Sequence, residues 1–128
     1  MPKRKDIPPE GARMLATALA KVRRTYTGIL RDLELDWPGS RALLARLGVA
    51  LAAQNPQEAD ECLCERLCTG LDSYRAARKA RSGDQRRFAA FVSGLTNGLA
   101  DPDRQTLVTA ALSPLQQRAL RLAEQESG

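Results

Sequence analysis

The stretch Asn55-Pro56-Gln57-Glu58-Ala59-Asp60-Glu61-Cys62-Leu63-Cys64-Glu65-Arg66-Leu67-Cys68-Thr69-Gly70-Leu71-Asp72-Ser73-Tyr74-Arg75-Ala76-Ala77-Arg78-Lys79-Ala80-Arg81 lies mid-chain in a sequence of 128 residues and carries the signals of one long helix. Asparagine caps free backbone N–H groups, and proline at the first helical position gives up no hydrogen bond. Glu58, Asp60 and Glu61 fill the first turns, and Arg75, Arg78, Lys79 and Arg81 fill the last, an order that complements the helix macrodipole at both ends. Leu63, Leu67, Leu71 and Tyr74 fall within roughly 80° of arc at helical spacing and predict a buried stripe. Ser82-Gly83 predicts the stop. A helix over 56–81 would be about 39 Å long. Gly70 is its weak point, costing about 1 kcal/mol relative to alanine, and marks a place to kink or break.

Around this element the sequence predicts shorter helices. Helix 1 should run from Pro9-Glu10 to about Leu33, with Leu15, Leu19, Val22, Tyr26, Ile29 and Leu33 spaced as an a/d heptad seam. Its opposite face carries Arg13, Thr17, Lys21, Arg24, Gly28 and Arg31, a stripe about 27 Å long with no acid in it. Asp36-Trp37-Pro38-Gly39-Ser40 is a turn, with Ser40 placed to cap helix 2 (Leu43, Leu44, Leu47 and Leu51, to about Gln54) and Trp37 placed at the end of the core. Gly83-Asp84 opens helix 4, whose apolar face is Phe88, Phe91, Val92, Leu95 and Leu99. Asp101-Pro102 and Ser113-Pro114 are cap-plus-proline starts for helix 5 (Leu107, Val108, Ala111, Leu112) and helix 6 (Leu115, Ala119, Leu120, Ala123). The expected architecture is all-α, a compact bundle of five to six helices around the long central one. Residues 1–9 form a basic tail that includes Lys3-Arg4-Lys5, residues 10–123 a single domain, and residues 124–128 a polar tail.

Composition agrees with that class and narrows the function. Four valines and two isoleucines in a Leu- and Ala-rich chain disfavour sheet. Five aromatic residues are too few for a platform on which successive bases stack. No apolar run is long enough to span a membrane, and no secretory leader follows the basic N-terminus, so a cytoplasmic location and no membrane partner are expected. Histidine is absent, which removes the usual general base and the imidazole metal ligand. Neither a phosphate-cradling glycine loop nor a nucleophile elbow occurs. Cys62, Cys64 and Cys68 diverge from one helix without a fourth ligand, and they read as small packed hydrophobes rather than a zinc site. The expectation is a protein that is not an enzyme and uses neither cofactor nor metal.

Charge carries what functional signal there is. The net charge is +5. Between residues 75 and 87, Arg75, Arg78, Lys79, Arg81, Arg86 and Arg87 face the single acid Asp84, the densest basic patch in the chain. Arginine suits the fork geometry of phosphate. The leading expectation is a non-catalytic binding subunit that contacts nucleic-acid phosphates without sequence readout, through Arg13, Lys21, Arg24 and Arg31 of the helix 1 stripe and the six cations of 75–87. At the level of class this resembles the small helical subunits of multi-protein RNA-guided complexes, with no motif that points to a named family. The alternative is a protein-binding adaptor or homo-oligomer that uses the seam residues Leu15, Leu19, Val22 and Tyr26 or the Trp37 corner, its basic charge matched to an acidic partner. A third possibility is a thiol sensor at Cys64 or Cys68. A helix-turn-helix built from helices 4 and 5, with Asp103, Arg104, Gln105 and Thr106 as base readers, is the weakest pattern.

Overall fold

Leu/Ala-rich segments punctuated by Pro, Gly and Ser fold as helices throughout the computed structural model, which describes residues 7–127. Seven helices follow in order: α1 (Pro9–Lys21), α2 (Arg24–Asp36), α3 (Ser40–Gln54), α4 (Ala59–Lys79), α5 (Asp84–Leu95), α6 (Asp101–Ala111) and α7 (Pro114–Ser127). No strand occurs among the described residues. α4 packs on α1, α2, α3 and α5, while α5 also carries α7 and α3 also carries α6. One contiguous core results, from Met14 and Leu15 through Leu43, Leu63, Leu67, Tyr74, Phe88 and Phe91 to Leu120. The Lys3-Arg4-Lys5 tail lies outside the described residues. The polar residues 124–127, expected as a tail, continue α7.

The all-α class holds, but there are seven helices rather than five or six around a long central one. The extra helix arises because helix 1 is two helices. Val22 and Arg23 take extended conformations (ψ 166° and 153°) between α1 and α2. No proline or glycine stands at the break. The segment that follows, Thr25-Tyr26-Thr27-Gly28, is poor in helix formers, and the bend lets α1 lie on α3 and α4 while α2 lies on α4 and α3. The stretch predicted as helical over 56–81 is also shorter, starting at Ala59. Asn55 closes α3, its N–H donating to Leu51 O at 2.9 Å, and its side chain donates to Glu58 at 3.0 Å. Residues 56–58 are spent in a turn.

One cap is built across elements and two are local. Glu34, near the end of α2, accepts from Gly39 N–H and Arg41 N–H at 2.8 Å each and so neutralises the start of α3. Ser40, expected as the α3 cap, instead donates to Trp37 O at 2.7 Å. α4 ends in a Schellman motif: Ser82 N–H bonds Ala77 O at 3.1 Å, and Arg81 N–H bonds Arg78 O at 3.0 Å. Its left-handed position is held by Arg81 (φ 58°) and not by glycine. At α7 the expected cap forms reciprocally, with Gln116 N–H donating to Ser113 Oγ at 3.2 Å and Ser113 N–H donating to Gln116 Oε1 at 2.9 Å. Leu115, expected in the core, sits outside at 74% exposure.

Gly70 neither kinks nor breaks α4. It is where α5 crosses. A Cβ on Gly94 would stand 2.6 Å from both Gly70 Cα and Thr69 O, and a Cβ on Gly70 would stand 2.9 Å from Leu95 Cδ2 and 3.0 Å from Phe91 O. The two backbones touch because neither residue has a side chain. Gly94→Ala, which forces backbone against backbone, is expected to lower stability by about 1–3 kcal/mol. Gly70→Ala meets the mobile end of Leu95 first and should cost less. Urea unfolding of both variants checks the order.

Candidate nucleic-acid interface

The basic residues divide into those spent inside the fold and those left over. α2 and α4 are joined by a polar ladder. Tyr26 Oη donates to Asp72 at 3.1 Å, Arg78 Nη1 bonds Asp32 at 3.0 Å, and Tyr74 Oη donates to Asp36. The Arg78 guanidinium also lies 5.8 Å from the Tyr74 ring centroid. The hydrogen bond to Asp32 holds Arg78 above its ordinary pKa. Arg78 and Asp32 are each 44% exposed, so the pair contributes only about 0.2–1 kcal/mol. Arg87 is spent at the next turn, where it donates to Ser82 O at 2.9 Å and pairs with Asp84. Arg86 reaches Glu126 O at 3.4 Å.

The remaining cations of the 75–87 patch, Arg75, Lys79 and Arg81, are exposed, and their side chains have no hydrogen-bond or ion-pair partner among the described residues. The same holds for Lys21, Arg24 and Arg31, and for the Arg13 guanidinium; Arg13 O accepts from Thr17. The break at Val22–Arg23 corrects the continuous 27 Å stripe: Arg13 and Lys21 ride on α1, Arg24 and Arg31 on α2. On α2 the acids and the arginines are put to different uses. All three acids serve neighbouring elements, Asp32 and Asp36 bonding α4 and Glu34 capping α3, while both arginines point away from that work. Arg78 bonds Asp32, the residue next to Arg31 on α2.

One residue missed by sequence reasoning belongs with this surface. Arg41, in the first turn of α3, lines an open cleft of about 360 Å³ together with Arg24, Thr27, Gly28 and Arg31. Its guanidinium has no partner among the described residues. Nothing in the linear sequence sets Arg41 beside Arg24. Only the Asp36–Ser40 turn, fixed by the Glu34 cap, does so.

No family model, curated protein or solved structure matches this chain. What it can do must follow from its own side chains.

The residues of the alternative interface face inward. Leu15 is buried, and Leu19, Val22 and Tyr26 are half-buried against the core. Trp37 stacks on Phe88 with ring centroids 4.7 Å apart and donates its indole N–H to Asp84 O at 3.2 Å. The three thiols are half-buried, and Cys62 accepts from Arg66 Nε at 3.3 Å. Burial and the neighbouring Cys64 push the Cys68 thiol up, away from the thiolate that a sensor needs. No group of three or more metal-ligating side chains converges among the described residues. α6 packs on α3, and two of its helix-turn-helix candidates are engaged within the chain: Arg104 pairs with Glu124 of α7 at 3.5 Å, and Thr106 bonds Pro102 O. No helix among the described residues is long and apolar enough to cross a membrane.

The ladder makes a prediction of its own. Burial, followed by the bond to Asp36, pushes the Tyr74 hydroxyl far above its ordinary 10.0, and burial followed by Asp72 pushes Tyr26 upward. The folded chain therefore keeps protons that the unfolded chain releases. The stabilisation is complete below pH 10.0 and is lost as pH rises past it. Tyr74→Phe should cost about 1 kcal/mol at neutral pH, because exposed Asp36 regains water, and should make the alkaline loss shallower. The two tyrosines permit a direct reading by ultraviolet titration at high pH.

Proposed function

We propose that this protein is a small non-catalytic helical subunit that binds nucleic acid through the phosphate backbone, without reading base sequence, as one part of a larger cytoplasmic complex. The division of charge on α2 carries this reading: its acids are used by the fold, and its arginines are left to solvent, as are Arg75, Lys79 and Arg81 of the 75–87 patch. A cationic surface without internal partners attracts a polyanion, and arginine forks fit phosphate oxygens. The scarcity of aromatic residues argues against base stacking as the source of affinity.

Arg81 adds support of another kind. At the left-handed position of a Schellman motif, glycine is the low-cost residue. An exposed arginine there costs the fold about 1 kcal/mol and gains no internal partner among the described residues. Strain kept at a charged surface position accords with a contact to a ligand.

A protein partner is the second reading. Leu35, at 75% exposure in the last turn of α2, would supply its apolar anchor, with the arginines matched to an acidic surface.

Binding to labelled RNA and DNA oligonucleotides across a salt series separates the two. The proposal expects micromolar affinity at low salt and a linear fall of log K with log salt, with a slope of about −0.7 per phosphate on a single strand. Arg31→Glu/Arg75→Glu/Lys79→Glu, chosen to spare the structural Arg78 and Arg87, should abolish it. Arg81→Gly should raise stability by about 1 kcal/mol while weakening binding. No binding at low salt sinks the proposal and leaves the Leu35 surface as the place to look.

A further inference from the structure

We propose that the cleft between α2 and the first turn of α3 is a phosphate-binding site that seats one phosphate group of the nucleic acid; it rests on the function proposed above. Arg24 and Arg31 enter the cleft from α2 and Arg41 enters from α3. Three arginine side chains share the lining of one concavity, and no carboxylate among the described residues pairs with any of them. The nearest acids are committed elsewhere: both Glu34 oxygens accept backbone N–H groups at 2.8 Å, and Asp32 is bonded to Arg78. Among the described residues no acid is left to neutralise them.

The shape suits an anion of phosphate size. The cleft holds about 360 Å³, with Gly28 as part of its lining. A Cβ on Gly28 would meet nothing within 4 Å, so that side of the cleft is open. Thr27 offers a hydroxyl at the same rim. Arginines aligned along a helix meet successive phosphates one at a time. Arginines converging from two helices surround a single group and offer several forked donors to its oxygens. The N-terminus of α3 adds little to this, because Glu34 already caps it, so the attraction comes from the side chains.

The chemistry has two sources, an internal phosphodiester or the terminal phosphate of a strand. The test compares 5′-phosphorylated and 5′-hydroxyl single-stranded oligonucleotides of the same sequence by fluorescence anisotropy over a salt series. Arg31→Ala/Arg41→Ala should bind about tenfold or more weakly, with the salt slope smaller by about one. Gly28→Leu fills the cleft without changing charge, and improves helix propensity, so the fold survives while binding falls to a similar degree. Arg121→Ala, an exposed cation on α7, should stay within twofold. A preference for the phosphorylated end that Gly28→Leu removes assigns the cleft to a terminal phosphate, whereas equal binding of both ends, weakened by the same variants, assigns it to an internal one. If both cleft variants bind as well as the parent protein while Arg75→Glu/Lys79→Glu does not, the cleft is not the site and the general function stands. If the parent protein binds neither oligonucleotide at low salt, the function and the site fall together.

Discussion

The backbone contact between Gly70 and Gly94 is the constraint on which the arrangement of the other helices depends. Two helices ordinarily stand about 8–10 Å apart, separated by side chains. Here a hydrogen is all that separates them at one point, and Leu67, Leu71, Tyr74, Phe88, Phe91 and Leu95 close around it as buried residues. That crossing sets the angle at which α5 leaves α4. It thereby sets where Phe88 lies beneath Trp37 and where Arg87 can reach the end of α4. The other close approach, α1 on α3 through Gly11 and the Ala45 carbonyl, follows the same logic. A chain with little aromatic bulk thus builds its core by bringing backbones together rather than by filling wide gaps.

The surface obeys a second rule, in which opposite charges are separated by function. Acids on α2 are directed to a hydroxyl, a guanidinium and free amides of neighbouring segments, so each does a structural task. The cations are of two kinds. Arg66, Arg78, Arg86 and Arg87 reach carbonyls or carboxylates within the chain, with Arg66 bonding Leu95 O at 3.0 Å and Asn97 O at 3.1 Å at the end of α5. Arg46 and Arg104 are engaged likewise, by Ala111 O at 2.7 Å and Glu124 at 3.5 Å, whereas Lys21, Arg24, Arg31, Arg41, Arg75, Lys79 and Arg81 have no side-chain counterpart among the described residues. Net charge alone does not reveal this division, because a paired and an unpaired arginine contribute equally to it.

Helical class and most of the core were legible in the sequence, because Leu63, Leu67, Leu71, Phe88, Phe91 and Leu107 obey a period that backbone geometry imposes. The break after Lys21 was not legible. Its cause is tertiary, in the bend that lets α1 and α2 each lie against α3 and α4, and Val22-Arg23 carries no local breaker. Asn55 was misassigned because a residue that can cap one helix can equally close the preceding one. Gly70 looked like a weakness because propensity is counted along a helix, whereas its use lies across two. Among the candidate site residues, the identity of the cations was readable and their availability was not. Arg78 and Arg87 are removed from the free set by Asp32, Asp84 and the Ser82 carbonyl. Arg41 joins the surface through a turn whose geometry depends on Glu34.

The way α2 is attached has a dynamic consequence. Only Leu30 and Leu33 of its thirteen residues are fully buried, and two of its three polar ties to α4, Tyr26–Asp72 and Asp32–Arg78, are surface pairs of modest strength. The helix also lost its continuity with α1 at Val22–Arg23, so it cannot borrow rigidity from that neighbour. Local opening of such a segment requires less free energy than global unfolding, and its amides exchange with solvent through that smaller fluctuation. Because α2 carries Arg24 and Arg31, an anion bound there would stabilise the closed segment by mass action. Occupancy of the surface and order of the helix are then linked quantities, and slowed hydrogen exchange confined to α2 would be the signature of that linkage.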